Sequence, residues 1–185
     1  MSHVKGSHLA NTRAFILSSF GAEGYAKVTE LLAPGARDAI ESVTGVGWYP
    51  VELHRDLLHA LDRAHDAGGD HEVVRRAAAS DIEFAVTRIH RLFFRFANPG
   101  FVLERATDIW VRFYDSGVWD VTRFTDTSAA GTVRAFAIAE PLYCEYVRGF
   151  ILRLFELVGA KEPHAKHTKC RARGDGACRF EGEWK

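Results

Sequence analysis

The feature that most constrains this chain is a change of apolar period at Gly117. Before it, apolar residues recur every three or four positions, the spacing of helices packed on one face. After it, from Val118 to Ile138, they alternate, and from Glu140 the helical spacing returns. A chain that runs helices, then alternating strands, then a helix builds an α+β architecture, because parallel βαβ units would interleave the two periods.

The helical part carries its own punctuation. One helix is predicted from about Ser7 to Phe20, stopped by Gly21, and a second through Tyr25, Val28 and Leu31 to Pro34-Gly35. A third covers about Ala36 to Val43, and Trp48-Tyr49-Pro50 opens a stronger one with Leu53, Leu57, Leu58 and Leu61. A helical pattern follows from about His71 to Phe96, with a break expected near Ser80-Asp81. Asn98-Pro99 restarts the helix with an N-cap and a first-turn proline, and Gly117 ends it. Two strands are then expected around a Ser128–Gly131 turn, a long helix from Glu140-Pro141 to Val158, and a terminal hairpin turning at Gly174-Asp175-Gly176. No repeat or linker divides the chain. The expectation is one domain over 1–185, with a helical part over about 1–117 and a strand part over about 118–185.

Composition narrows the partners. With 24 basic and 24 acidic side chains the formal charge is zero, which argues against bulk binding to nucleic acid or anionic lipid. No apolar run reaches the roughly 18 residues of a membrane span, and Met-Ser-His-Val-Lys-Gly has no secretory apolar stretch, so a cytoplasmic protein is expected. Three cysteines are too few for a disulfide framework. Cys170 and Cys178 lie symmetrically about the predicted hairpin turn, His167 stands three residues before Cys170, and Cys144 lies on the preceding helix. Cys144, His167, Cys170 and Cys178 make a four-ligand set of the right chemistry for a closed structural zinc site.

These motifs carry a family resemblance. His167-Thr-Lys-Cys170-Arg-Ala-Arg-Gly-Asp-Gly-Ala-Cys178 and Pro141-Leu-Tyr-Cys144-Glu-Tyr-Val-Arg-Gly149 resemble the 4-vinyl-reductase-like domain, the sensor module of phenol-responsive activators. Val4-Lys-Gly-Ser, Gly47-Trp-Tyr-Pro50 and Tyr114-Asp-Ser-Gly117 resemble a related myxobacterial paralogous family along the whole chain. The resemblance implies a TRAPP-like α+β fold, a tendency to form homodimers, and a zinc held by three cysteines and a glutamate. The cysteines map onto Cys144, Cys170 and Cys178; His167 occupies the glutamate position, with Glu140 and Glu145 as alternative fourth ligands. It also implies a phenol-type pocket with a strand tryptophan and a histidine, which points to Trp119 and, on the helix around Ile89 and Phe93, to His90, with Phe124 beside them.

Other patterns are set aside. His54, His59, His65 and His71 read as a solvated surface, and His3 and His8 as part of a mobile terminus. No serine-histidine elbow, phosphate loop or dinucleotide fingerprint occurs. A haem-based nitric oxide sensor of similar length would carry a Tyr-x-Ser-x-Arg motif for the haem propionates, which this chain lacks, so that family is not expected. The expected function is a non-catalytic, small-molecule-binding sensory module with a structural zinc and an aromatic pocket, acting through a homodimer or a regulatory partner protein. The alternatives are an assembly scaffold, favoured by a filled core, and an accessory of tetrapyrrole vinyl reduction.

Overall fold

The computed structural model describes residues 1–89 and 98–185. In chain order they form β1 (His3–Lys5), α1 (Gly6–Glu30), α2 (Ala36–Glu41), β2 (Trp48–Pro50), α3 (Val51–His65), α4 (Glu72–Ile89), α5 (Pro99–Glu104), α6 (Ala106–Phe113), β3 (Val118–Thr125), β4 (Ser128–Arg134), α7 (Pro141–Leu157), β5 (His164–Lys169) and β6 (Cys178–Glu183). β3, β4, β6 and β5 lie in that order in one antiparallel sheet, and β1 pairs with β2. The α+β expectation holds, with the helical part preceding the sheet.

Several signals act where they stand. Gly21 adopts φ 67°, where a side chain would be strained, and kinks α1 between its two predicted halves. Asn98 Oδ1 accepts from the Phe101 amide at 2.9 Å and caps α5. Gly117 and Gly159, at φ 77° and 90°, close the helical stretches that precede them. Gly149 on α7 lets that helix approach α4 closely: a Cβ there would lie 2.6 Å from the Arg75 carbonyl oxygen.

Three expectations need correction. Ser80-Asp81 does not break α4, because the Asp81 carboxylate is used by other elements instead of by its own backbone. The N-terminus is tied down: Val4 pairs with Tyr49, and the His3 amide donates to Asp115 at 2.6 Å. The β3–β4 turn falls at Asp126-Thr127, so Ser128–Gly131 lies inside β4. Gly131 sits in a strand because the Trp119 ring covers it; a Cβ there would come within 2.3 Å of the indole.

One cluster of buried side chains runs from Leu9, Ile16, Leu57, Leu58 and Leu61, through Ala77 and Ala78, to Trp110, Trp119 and Phe180 against the sheet. A second gathers Ile82, Val102, Leu154, Phe155 and Val158 at the other end of α4 and α7. No described helix is long and apolar enough to cross a membrane.

Candidate functional site

α5 and α6, α7, and the inner face of the sheet line a cavity of about 110 Å³ that opens to solvent. Its walls are aliphatic and aromatic: Val102, Ile109 and Phe113 from the short helices, Val147, Phe150 and Leu154 from α7, and Trp119, Val121 and Phe180 from the strands. Trp119 and Val121 share this face because alternate strand residues point the same way. The polar groups in the lining are few, among them His8 and Tyr146 at one end and His164 and Glu183 from β5 and β6. Two buried polar atoms of lining residues, Trp119 Nε1 and His8 Nε2, have no hydrogen-bond partner.

His8 belongs to a buried polar network. Its Nδ1 contacts the Asp81 carboxylate, which also accepts from the Tyr146 hydroxyl and from Asn11 Nδ2 at 2.6 Å. Burial raises the Asp81 carboxyl, but the His8 ring and the donated hydrogen bonds outweigh it and hold the group below the usual carboxylate range. His54 stacks on His8 with centroids 5.6 Å apart, and each of its nitrogens has a partner: Tyr143 Oη at 3.0 Å and Thr12 Oγ1 at 3.2 Å. Burial, aided by His8, pushes the His54 imidazole down to about 3, so it is neutral near pH 7.

The second constellation lies where α7 meets the terminal hairpin. The Sγ atoms of Cys144, Cys170 and Cys178 and a ring nitrogen of His167 all lie within 4.8 Å of one another. Cys144 Sγ and Cys178 Sγ are 3.7 Å apart, and the Arg171 amide donates to Cys178 Sγ at 3.5 Å. Asp175 shapes the turn by accepting from the Cys170 amide at 2.7 Å. Burial and the neighbouring Cys178 and Cys170 push the Cys144 thiol up. Burial, with Arg173 nearby, pushes the His167 imidazole down. The ring stacks on Phe180, and its Nε2 is buried without a partner. The alternative fourth ligands stand outside this cluster: Glu140 meets His59 at 3.0 Å through Oε2, with its Oε1 buried and unpartnered, and Glu145 meets Arg75 at 2.9 Å.

The structure therefore brings together the four residues expected from the hairpin spacing, and it puts Trp119 in the wall of a real pocket. Phe124 is 53% exposed under the Arg179 guanidinium and is not a lining residue. His90 lies outside the described residues. Sequence reasoning missed His8, His54 and Asp81, all buried. The signal was present: Asp81 continues the Val74-Ala77-Ala78 face of α4, and His54 the Val51-Leu57-Leu58-Leu61 face of α3. A polar residue in such a stripe is an internal group, not a solvated one. Asp62, Asp66 and His71 also converge, half-buried, and are tied to one another by their own hydrogen bonds.

A helical layer preceding an antiparallel sheet, with an apolar cavity between, defines the class: an α+β fold. The particular fold is that of H-NOX (haem nitric oxide/oxygen binding) proteins. The chain is similar to an Fe(II) unliganded H-NOX protein from K. algicida, with a TM-score of 0.73, 15% identity, and coverage of 98% of this chain and 96% of that one. It is also similar to an H-NOX protein from S. oneidensis in the Fe(II)NO state, with a TM-score of 0.74, 12% identity, and coverage of 98% and 99%. No protein-family model matches the chain, and no curated protein matches it in sequence.

These likenesses correct the resemblance drawn from motifs. The solved structures are H-NOX proteins rather than 4-vinyl-reductase-like domains, and the TRAPP-like label gives way with that assignment. The cysteine hairpin is a local device, and a local device can be carried on more than one fold. Zinc as the cofactor, expected from the hairpin spacing and from that resemblance, is corrected by the same likenesses: the matched proteins are described by their Fe(II) states and by haem. The missing Tyr-x-Ser-x-Arg motif was also a wrong ground for setting the fold aside, since that motif concerns how haem carboxylates are held, not how the chain folds.

Proposed function

We propose that the chain, taken as one unit over 1–185, is a non-catalytic sensory module. It holds a flat, largely apolar small molecule in the pocket between α5, α6, α7 and the sheet and passes its occupancy to a partner protein. The observation that carries this reading is an apolar pocket whose lining contains two buried polar atoms with no partner, Trp119 Nε1 and His8 Nε2. A buried polar atom left alone is costly, and a ligand that meets it removes the cost.

The H-NOX likeness makes haem the first ligand to test against these residues. They match it in part: the aromatic and aliphatic walls suit a flat macrocycle, and His164 can donate to a carboxylate oxygen, but His8 Nε2 is closed off by its neighbours and no ligand to the iron is assigned. When bound, haem would supply an iron centre open to small diatomic ligands. Titration of metal- and haem-depleted protein with haem is expected to give a saturating 1:1 absorption change and a raised melting temperature. Trp119→Ala should weaken both. If neither haem nor any flat aromatic in a panel stabilises the protein, the reading is wrong and the scaffold alternative takes its place.

For the hairpin, we propose that Cys144, His167, Cys170 and Cys178 are a ligand set for a thiophilic metal ion that pins β5 and β6 to α7. The support is geometric: four soft or borderline donors within 4.8 Å, one of them an imidazole nitrogen without a partner. Elemental analysis of untreated protein tests it: one ion per chain is expected, lost in Cys170→Ser. Absence of any bound ion refutes it. A homodimer remains part of the proposal, checked by light scattering.

A further inference from the structure

We infer, resting on the apolar-ligand reading above and narrowing it, that the cavity between α7 and the sheet is a binding site for an uncharged single-ring arene. Its size is set by a row of small residues, Ala129, Gly182 and Ala165.

The strand register puts the space where it is. Ala129 on β4 pairs with Gly182 on β6, and Gly182 pairs with Ala165 on β5, so the three stand side by side across the sheet. All three line the cavity. No side chain in this row is longer than a methyl group, so here the sheet does not reach α7. A Cβ added at Gly182 would meet only strand carbonyls, His164 at 3.4 Å and Ala129 at 3.9 Å, and nothing from α7. The adjoining row behaves differently. There the Trp119 ring lies over Gly131 and stacks with Phe180, with centroids 6.0 Å apart, and fills the gap.

Volume and walls then define the occupant. An apolar cavity of about 150 Å³ lined by leucine, isoleucine and phenylalanine stays free of water and takes up benzene. A space of about 110 Å³ with an open mouth is of the same order, enough for one ring, whereas a macrocycle needs the walls to part. Phe113, Phe150, Phe180 and Trp119 present aromatic rings to it, and rings favour edge-to-face contact with another ring over contact with an alkyl chain. A charge is disfavoured by the same walls, because nothing in them replaces its water. His164 and Glu183 are the exposed polar groups of the lining, and Glu183 repels an anion that enters past it.

The test is titration of the wild-type chain, Ala129→Leu and Gly182→Ala with benzene and toluene, read by calorimetry and by melting temperature. Benzoate serves as the charged probe and haem as the large one. Benzene and toluene should bind 1:1 with a Kd on the order of 0.1–1 mM, within reach of six or seven heavy atoms. Benzoate should bind at least about tenfold more weakly. Ala129→Leu fills the space and should lose arene binding by at least about tenfold, with an unchanged or higher melting temperature of its own. Gly182→Ala adds a single methyl group, so it should give a smaller loss and keeps the test open if the leucine does not fit. If the wild type binds haem but neither arene, the pocket reading stands and this inference is overturned. Arene binding that survives in both variants also overturns it, since the site is then elsewhere. If no probe binds, both fall.

Discussion

Cys144 and Tyr146 lie two residues apart on α7, and each belongs to a different buried polar group. Residues so spaced point to different faces of a helix, so one element serves two sites. On the Tyr146 side, hydrogen bonds close the network around Asp81 and His54 almost completely, with His8 Nε2 buried and unpartnered at its edge. On the Cys144 side, the backbone and Asp175 hold the hairpin, but the donors converge on one another with little to satisfy them. The contrast separates two uses of buried polarity. A saturated network orients a ring and contributes to stability by itself; an unsaturated cluster makes its contribution only when something binds.

The largest effect expected from breaking this contrast is at Asp81. Asp81→Ala leaves His8, Asn11 and Tyr146 without their common acceptor in a buried place, a loss of about 3–5 kcal/mol in urea unfolding. It should leave any metal content of the hairpin unchanged. A loss below about 1 kcal/mol would mean that the network is not closed as described.

Acid sharpens the same difference. His54 is neutral in the folded protein with its imidazole at about 3, whereas an unfolded histidine takes up its proton near 6.5. The unfolded state therefore binds more protons as pH falls below about 6.5, and stability drops by about 1.4 kcal/mol per unit until the folded value is reached. The lowered Asp81 carboxyl acts with the same sign at lower pH, since its stabilisation is present above the unfolded value and lost as acid protonates it. Urea unfolding from pH 7 to pH 4 should show this slope, and His54→Phe should flatten it.

Smaller changes fall on the cysteine side. In chelator-treated protein Cys144→Ser should cost only about 1–2 kcal/mol, because it replaces a buried sulfur contact with a hydroxyl. In untreated protein the cost should be larger by whatever the ion contributes; equal costs in the two preparations would argue against a bound ion. The smallest effect is at Glu145→Gln, whose amide oxygen can still accept from Arg75 in this part-buried pair, so the change should cost about 1 kcal/mol without altering metal content. A loss of metal in that variant would return Glu145 to the ligand set.

The order of helices and strands was legible in the chain because each signal for it acts within a few residues. Pro99 and Asn98 open a helix, Gly117 and Gly159 end two others, and the period changes where the sheet begins. The hairpin donors were legible for the same reason, since three of them share one turn and one strand pair. Ser128–Gly131 misled because small residues that usually make a turn here make room for Trp119, a partner supplied by the neighbouring strand. His8 and His54 misled because their partners are remote in sequence: Asp81 and Tyr146 lie 73 and 138 residues from His8, and Tyr143 lies 89 residues from His54.

By itself, then, the amino-acid sequence determined the α+β class, the punctuation of the helices and the set of donors gathered at the hairpin, all consequences of local geometry and period. Only the tertiary structure decided that the fold is that of H-NOX proteins, that a pocket opens between α7 and the sheet, and that His8 is buried at its lining with Asp81 as partner. The physical reason is distance along the chain. A cavity is bounded by side chains from elements far apart in sequence, and whether a buried atom has a partner depends on what those elements bring to it.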